Sequence, residues 1–234
     1  MQQAAFDALG IDASYEAIEA GREHGAEVFA RLRSERYAGW NVTTPLKESA
    51  ALLVDRVSRD AALVHAVNTV RADDDGSLVG INTDGGGLIR AVRELWGWQP
   101  GEGTVLILGS GPAARAIAHS VHASGATTLA CWSRDALRAA RIAPPLAATP
   151  ELVISALSAD AEVPAHIVAA ADEETMIFDL NYGRARSPVA RMRGRRRSDG
   201  LPLLLHQGAL AFEWWTGRPA PLDVMRIALR ADST

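Results

Sequence analysis

Thr104-Val105-Leu106-Ile107-Leu108-Gly109-Ser110-Gly111-Pro112-Ala113-Ala114-Arg115-Ala116 decides the fold. Thr104–Leu108 is a short apolar run without polar alternation, the pattern of a strand buried on both faces of a parallel sheet. A glycine turn ends it. Gly109 suits the tight bend, Gly111 leaves room for close approach of a pyrophosphate, and Ala114 takes the place of a third glycine where helix packs on strand. The helix predicted from this turn to about Ser124 offers free N–H groups and the positive end of its dipole to phosphate. A lone Gly-x-Gly-x-x-Ala can also be a plain tight turn. Its position between an apolar strand and an amphipathic helix is what gives it weight.

Downstream, Leu129–Trp132, Leu152–Ser155 and Met176–Leu180 read as further buried strands, with a short helix at Leu137–Ile142. This alternation predicts a Rossmann-like, doubly wound α/β domain. Upstream, the spacing predicts helices at 2–9, Glu19–Ser34, Lys47–Arg59 and Gly85–Leu95. Strands are predicted at Tyr15–Ile18, Gly39–Val42, Ala66–Arg71 and Leu78–Ile81, the last two joined by an Asp75-Gly76 turn. Trp96–Gly103 is a linker rich in Gly and Pro. Gly208–Trp215 and Asp223–Leu229 read as closing helices.

The 234 residues can form one large domain or two small ones. A hydrophobic fraction of 48% and a charged fraction of 22% are those of a soluble globular protein. The net charge of −4 gives no electrostatic reason to expect nucleic acid. A single cysteine, Cys131, fits a reducing compartment. No signal-peptide block and no membrane-length apolar run occurs, so a cytoplasmic protein without a membrane partner is expected. The six histidines show no metal-ligand spacing. Arg191–Arg197 holds five arginines in seven residues and reads as a solvated loop, with a phosphate contact as the second reading.

Two further clusters carry chemistry. Lys47, the only lysine of the chain, begins a helix after Thr43-Thr44-Pro45, and Asp84 begins another after Asn82-Thr83. Both sit at strand-to-helix junctions, where open sheets place ligands. A lysine beside a carboxylate can move the proton of an alcohol–ketone interconversion, although most lysines are simply exposed. Past the second cofactor-domain strand, Ser133-Arg134-Asp135 occupies the place of the usual ribose-binding carboxylate. Arginine there suits the 2′-phosphate of NADP. Asp135 would repel a phosphate it faced, so NAD stays open.

These runs together resemble the shikimate dehydrogenase family: Asn41-Val42-Thr43-Thr44-Pro45-Leu46-Lys47, Ala66-Val67-Asn68-Thr69, Asn82-Thr83-Asp84-Gly85, Ser133-Arg134-Asp135-Ala136-Leu137-Arg138, Asp179-Leu180-Asn181-Tyr182, and Gly200 to Gln207. The resemblance implies an N-terminal α/β substrate domain over 1–86, rejoined by C-terminal helices over 208–234, and an NADP-binding domain over 87–207. It implies reversible reduction of 3-dehydroshikimate to shikimate, in aromatic amino acid and chorismate biosynthesis, on a small polyhydroxy cyclic carboxylate. A quinate or aminoshikimate dehydrogenase, or a catalytically impaired cofactor-binding homologue, is the alternative. By resemblance Lys47 is the general acid/base and Asp84 its partner. Thr43, Asn68, Tyr182 and Gln207 are substrate ligands. Gly109, Ser110, Gly111, Ala113 and Ala114 hold the cofactor pyrophosphate, and Ser133, Arg134 and Arg138 its 2′-phosphate. Asn41 is expected to tie down its own turn. Monomer and homodimer remain open.

Departures from the family are Ser155-Ala156-Leu157 in place of Asn-x-Thr, Gly183 in place of proline, and the absence of an opening strand with a Ser-x-Ser turn for the substrate carboxylate. The expectation is a start that is late relative to the family. Calorimetry is therefore expected to show NADP(H) binding by residues 1–234, but weaker shikimate binding than by a chain extended upstream through such a turn. Two lost hydrogen bonds to a carboxylate correspond to about 3–6 kcal/mol. Equal shikimate affinity in the two chains would refute this.

Overall fold

The computed structural model describes residues 1–101, 103–126, 128–183 and 186–231. It divides into two compact units, Met1–Asp84 with residues 207–231, and Gly85–His206.

The first unit opens with α1 (Gln2–Ala8) and continues through α2 (Gly25–Ser34), β1 (Gly39–Asn41), α3 (Lys47–Leu53), β2 (Arg56–Val57), α4 (Arg59–Val64), β3 (Thr69–Ala72) and β4 (Leu78–Ile81). The four strands form one sheet in the order β1-β3-β4-β2. β3 is antiparallel to β1 and β4, and β2 is parallel to β4. Phe29, Leu32, Trp40, Ala50, Ala61, Val67, Val70 and Leu78 form its core.

Three expectations fail here, each for a tertiary reason. Tyr15–Ile18 is not a strand. The Tyr15 amide donates to Gln3 Oε1 at 2.8 Å and its hydroxyl to Asn41 Oδ1 at 2.9 Å, so side chains serve it instead of a strand ladder. The helix expected over Glu19–Ser34 forms only from Gly25, after a 3₁₀ turn at Arg22–His24 and an extended Gly21. The helix expected over Lys47–Arg59 stops at Leu53. The Asp55 amide donates to Leu78 O at 2.9 Å and its carboxylate accepts the Leu78 amide at 2.7 Å, drawing Arg56–Val57 into the sheet. Ser58 then caps α4 through the Ala61 amide.

The second unit contains α5 (Asp84–Trp96, whose first residue belongs to the first unit), β5 (Thr104–Leu108), α6 (Pro112–Ala123), β6 (Thr128–Trp132), α7 (Ala136–Ala140), β7 (Leu152–Ser155), α8 (Ala165–Val168), β8 (Met176–Asp179) and β9 (Arg196–Ser198). All five strands are parallel, in the order β6-β5-β7-β8-β9. Alternate residues feed two cores. Val105, Ile107, Leu152, Ile154, Met176 and Phe178 face Leu88 and Val92 of α5 and Ile117 and Val121 of α6. Leu106, Leu108, Val153 and Ile177 face Val163, Ile167, Val189 and Met192. Burial on both faces is why β5 reads as an unbroken apolar run. Gly85 has a packing reason: a Cβ there would lie 2.5 Å from Ala116 O of α6.

The arginine run is a partial correction. Arg196–Ser198 is the edge strand β9. Arg197 donates to Met192 O and Val189 O, both at 2.8 Å, and Arg195 pairs with Glu173. Charged residues on an edge strand also discourage pairing with other chains.

α9 (Leu201–Thr216) and α10 (Leu222–Ala231) close the chain. From Gln207 onward they belong to the first unit, where α10 packs on α1 and Phe212 lies 5.5 Å from Phe6 between ring centres. Trp215 Nε1 donates to Val70 O at 2.9 Å, and Arg71 stacks 4.6 Å over the Trp214 ring. A Cβ at Gly39 would lie 2.5 Å from Val70 O and 2.7 Å from Trp215 Nε1, so only glycine fits that edge of β1.

Leu106 is fully buried and Leu52 is 87% exposed. Leu106→Ala is expected to cost about 2–5 kcal/mol in chemical denaturation, whereas Leu52→Ala should stay within about 0.5 kcal/mol. Equal effects would contradict this assignment of core and surface.

Candidate active site

Lys47 is the first residue of α3 and Asp84 the first of α5. β3 pairs with β1 on one side and β4 on the other, and the Val67 amide donates to Lys47 O at 2.9 Å, which brings these helix starts together. Lys47 Nζ lies 2.7 Å from Asp84 Oδ2, with side-chain exposures of 14% and 6%. An ion pair this withdrawn from water needs further hydrogen bonds to hold its geometry. Asn68, 2% exposed, supplies one by donating from Nδ2 to Asp84 Oδ1 at 2.8 Å.

Asn68 is itself fixed. Its Oδ1 accepts the Thr83 amide at 2.8 Å and the Thr69 hydroxyl at 3.0 Å. Its own amide donates to Ile81 O at 3.1 Å. Asn82 Oδ1 accepts the Asp84 amide at 3.0 Å, and Asn82 Nδ2 donates to Ala66 O at 3.0 Å. Asp84 is thus held at a helix start, where the dipole favours a carboxylate. Sequence reasoning missed Thr69 and Thr83 as parts of this network. The available signal was the repeated Asn-Thr pair, Asn68-Thr69 and Asn82-Thr83, flanking the two hairpin strands.

Thr43 is exposed on the turn before Lys47, and its carbonyl accepts the Leu46 amide at 2.9 Å. Gln207 is half-buried on α9 in the same unit. Asn41 departs from expectation. Instead of bonding its own turn, it donates across the sheet to Thr69 Oγ1 at 3.1 Å and accepts from the Tyr15 hydroxyl. The structure therefore joins Lys47, Asp84 and Asn68 directly, while Thr43 lies on the turn that precedes Lys47.

The residues expected to hold the cofactor belong to the second unit. Gly109 has φ +116°, which favours glycine, and a Cβ there would lie 3.0 Å from Ala156 O. The Gly109 and Ala156 amides continue the ladders of β5, donating to Trp132 O and Leu108 O at 2.8 Å each. β5 lies between β6 and β7, so this crevice is the switch point of the sheet. Gly111 ends the turn in extended conformation, with nothing within 4 Å of where its Cβ would be. The first amides of α6 carry no side-chain cap, with Pro112 at the start of the helix. Ser110 and Ala113 are half-buried at this opening, and Ala114 is fully buried against the strand. Open space beside uncapped helix amides fits a dinucleotide pyrophosphate.

Beyond β6, Arg134 and Arg138 are exposed and Ser133 is buried. Tyr182 is 46% exposed, just past β8. The Asp179-Leu180-Asn181 run before it is braced: Asp179 Oδ1 accepts from Asn181 Nδ2 at 2.9 Å, and the same amide donates to Leu157 O at 3.0 Å. Ser155 and Asp179 lie opposite each other in the β7–β8 register. Among the described residues, Ser155 Oγ and Asp179 Oδ2 have no hydrogen-bond partner.

Comparisons with known proteins agree with this geometry. Residues 1–70 match the shikimate dehydrogenase substrate binding domain, and residues 200–230 the shikimate 5′-dehydrogenase C-terminal domain. The shikimate dehydrogenase (NADP(+)) of Methanopyrus kandleri is 33% identical over 98% of this chain and 89% of its own. That of Moorella thermoacetica is 36% identical over 98% and 87%. The crystal structure of shikimate 5-dehydrogenase from Thermus thermophilus, in complex with NADP(H) and shikimate, superposes with a TM-score of 0.84 at 31% identity, covering 98% of this chain and 94% of that one. Similarity at this level over nearly the whole of both chains, with a lysine–aspartate pair and a dinucleotide turn in place, means that the chain belongs to the shikimate dehydrogenase family.

Proposed function

We propose that this chain catalyses the reversible NADP-linked reduction of 3-dehydroshikimate to shikimate, with Lys47 moving the proton. The observation that carries this reading is the 2.7 Å contact between Lys47 Nζ and Asp84 Oδ2, held in place by Asn68. As the substrate carbonyl is reduced, its oxygen gains negative charge and needs a proton. The Lys47 ammonium can donate it, and in the reverse direction the free amine takes it from the alcohol. Asp84 limits the rotamers open to Lys47, so less freedom is lost on reaching the transition state. Its oxygens also offer an acceptor to a neighbouring ring hydroxyl.

Asn68, Thr43 and Gln207 carry the amide and hydroxyl groups that a polyhydroxy cyclic carboxylate would use, with Tyr182 as a further ligand. NADPH, when bound, supplies the hydride. Gly109, Ser110, Gly111, Ala113 and Ala114 would hold its pyrophosphate through backbone amides. Arg134, with Ser133 and Arg138, would take its 2′-phosphate.

Lys47→Ala is expected to lower turnover about 10²–10⁴-fold and to leave NADPH affinity unchanged. Steady-state kinetics with 3-dehydroshikimate and quinate, beside a cofactor titration, are the measurement. Turnover close to that of the unaltered chain would remove Lys47 from the proton transfer. Arg134→Ala should weaken NADPH roughly tenfold and leave NADH nearly unaffected. Equal losses for the two cofactors would mean that Arg134 only shapes the fold.

A further inference from the structure

One backbone amide fixes the direction of a run of hydrogen bonds in the first unit. The Thr83 N–H can only donate, and it donates to Asn68 Oδ1 at 2.8 Å. Asn68 Nδ2 therefore faces the Asp84 carboxylate, 2.8 Å from its Oδ1. The Thr69 hydroxyl donates to Asn68 Oδ1 at 3.0 Å, which leaves its lone pairs to accept Asn41 Nδ2 at 3.1 Å. The same Asn41 nitrogen lies 3.4 Å from the Asn68 carbonyl, a second acceptor that holds this orientation. Asn41 Oδ1 then accepts the Tyr15 hydroxyl at 2.9 Å. Burial raises the Tyr15 pKa above its ordinary value, so that hydroxyl stays a donor. Each donor from Tyr15 to Asn68 thus points toward Asp84, whose other oxygen meets Lys47 Nζ.

We infer that Tyr15, Asn41 and Thr69 are positioning residues for the proton transfer: their head-to-tail hydrogen bonds act through Asn68 to hold the Asp84 carboxylate on Lys47. This rests on the role proposed for Lys47 and goes beyond it by assigning residues that act on the pair only at a distance. Hydrogen bonds in such a run polarise one another, by about 10–30% per bond. The Thr69 hydroxyl draws electron density onto Asn68 Oδ1 and makes the Asn68 Nδ2–H a stronger donor to Asp84. It also restricts rotation of the Asn68 amide. The carboxylate then keeps one oxygen on Asn68 and the other on Lys47 as the proton moves. A Thr69 hydroxyl turned the other way would set a lone pair against Asn68 Oδ1 and weaken that bond. Direction, and not contact alone, is what the run contributes.

The hydroxyl and the direction can be changed separately. Single-turnover reduction of 3-dehydroshikimate, followed by NADPH absorbance, is compared with NADPH affinity, and a thermal melt checks that each variant is folded. Thr69→Val should slow the single-turnover rate about two- to tenfold and leave NADPH affinity unchanged. Thr69→Ser keeps the hydroxyl and should keep the rate. An equal loss in the two would assign the effect to packing of the methyl group and overturn the inference. Asn41→Asp offers Thr69 an acceptor in place of a donor, and should cost at least as much as Thr69→Val. Tyr15→Phe removes only the far donor and should cost less; a larger loss than in Thr69→Val would contradict transmission along the run. Added to Thr69→Val, Asn41→Asp should cost little, because no hydroxyl remains to be turned. Additive losses would mean that each change acts separately, and overturn the inference. So would unchanged rates in both single variants. Lys47→Ala in the same assay separates the two levels. If it reacts as fast as the unaltered chain, the proton-transfer reading falls and this inference with it. If it is slow while Thr69→Val and Asn41→Asp are not, only the role of the run falls.

Discussion

An ammonium and a carboxylate held together away from water constrain the first unit more than any other contact. Withdrawing both charges from solvent is costly, and their mutual attraction offsets that cost only when the remaining hydrogen-bonding capacity is filled. Asp84 meets the condition with Lys47 on one oxygen and the Asn68 amide on the other. Asn68 must in turn be fixed, and the Thr83 amide and Thr69 hydroxyl fix it. Asn68, Thr69, Thr83 and Asp84 flank the two ends of one hairpin, so the β3–β4 register sets the position of Asp84 against Asn68. A slip of one residue would send the alternate side chains to the opposite face and separate Asn68 from Asp84.

The second unit solves a different problem. Its five parallel strands are covered on both faces, so their polar groups are left free chiefly at the strand ends. At the carboxyl ends of β5 and β7 the chain needs a residue that turns sharply without touching Ala156, and Gly109 meets that need. It then needs amides with no side chain over them, which Gly111 and the uncapped start of α6 provide. The proposed cofactor cradle is therefore largely backbone, and in that reading side chains matter mainly at the turn after β6. There, Asp135, Arg138 and Ser133 are already bonded to one another before any ligand arrives.

Much of this was legible in the sequence because it depends on local rules. β5 and β7 were read at their observed limits from unbroken apolar runs, and the Asp75-Gly76 turn from its hairpin dipeptide. The misread segments share one cause. Lys47–Arg59 has helical spacing, but the backbone and side-chain bonds of Asp55 to Leu78 outweigh the propensity of the residues that follow. Tyr15–Ile18 has strand composition, but hydrogen bonds to Gln3 and Asn41 replace a ladder. Arg196–Ser198 looks like loop, yet it pairs with β8, with Arg197 anchored on two carbonyls. Apart from the Met192 and Val189 carbonyls that hold Arg197, these partners lie 12 or more residues away, beyond the reach of a short window along the chain.

The sequence alone determined the doubly wound class, the glycine turn with the helix that follows it, and the residue types at the candidate site. Each follows from periodicity, glycine conformation or side-chain chemistry, which act within a few residues. Tertiary structure decided that Lys47 and Asp84 meet, that Asn68 holds them, that Asn41 bonds across the sheet, and that Asp135 takes up Arg138. These outcomes depend on strand register, helix starts and competition among hydrogen-bond partners. A carboxylate has the same composition whether it faces a lysine, an arginine or water; only the folded backbone selects which.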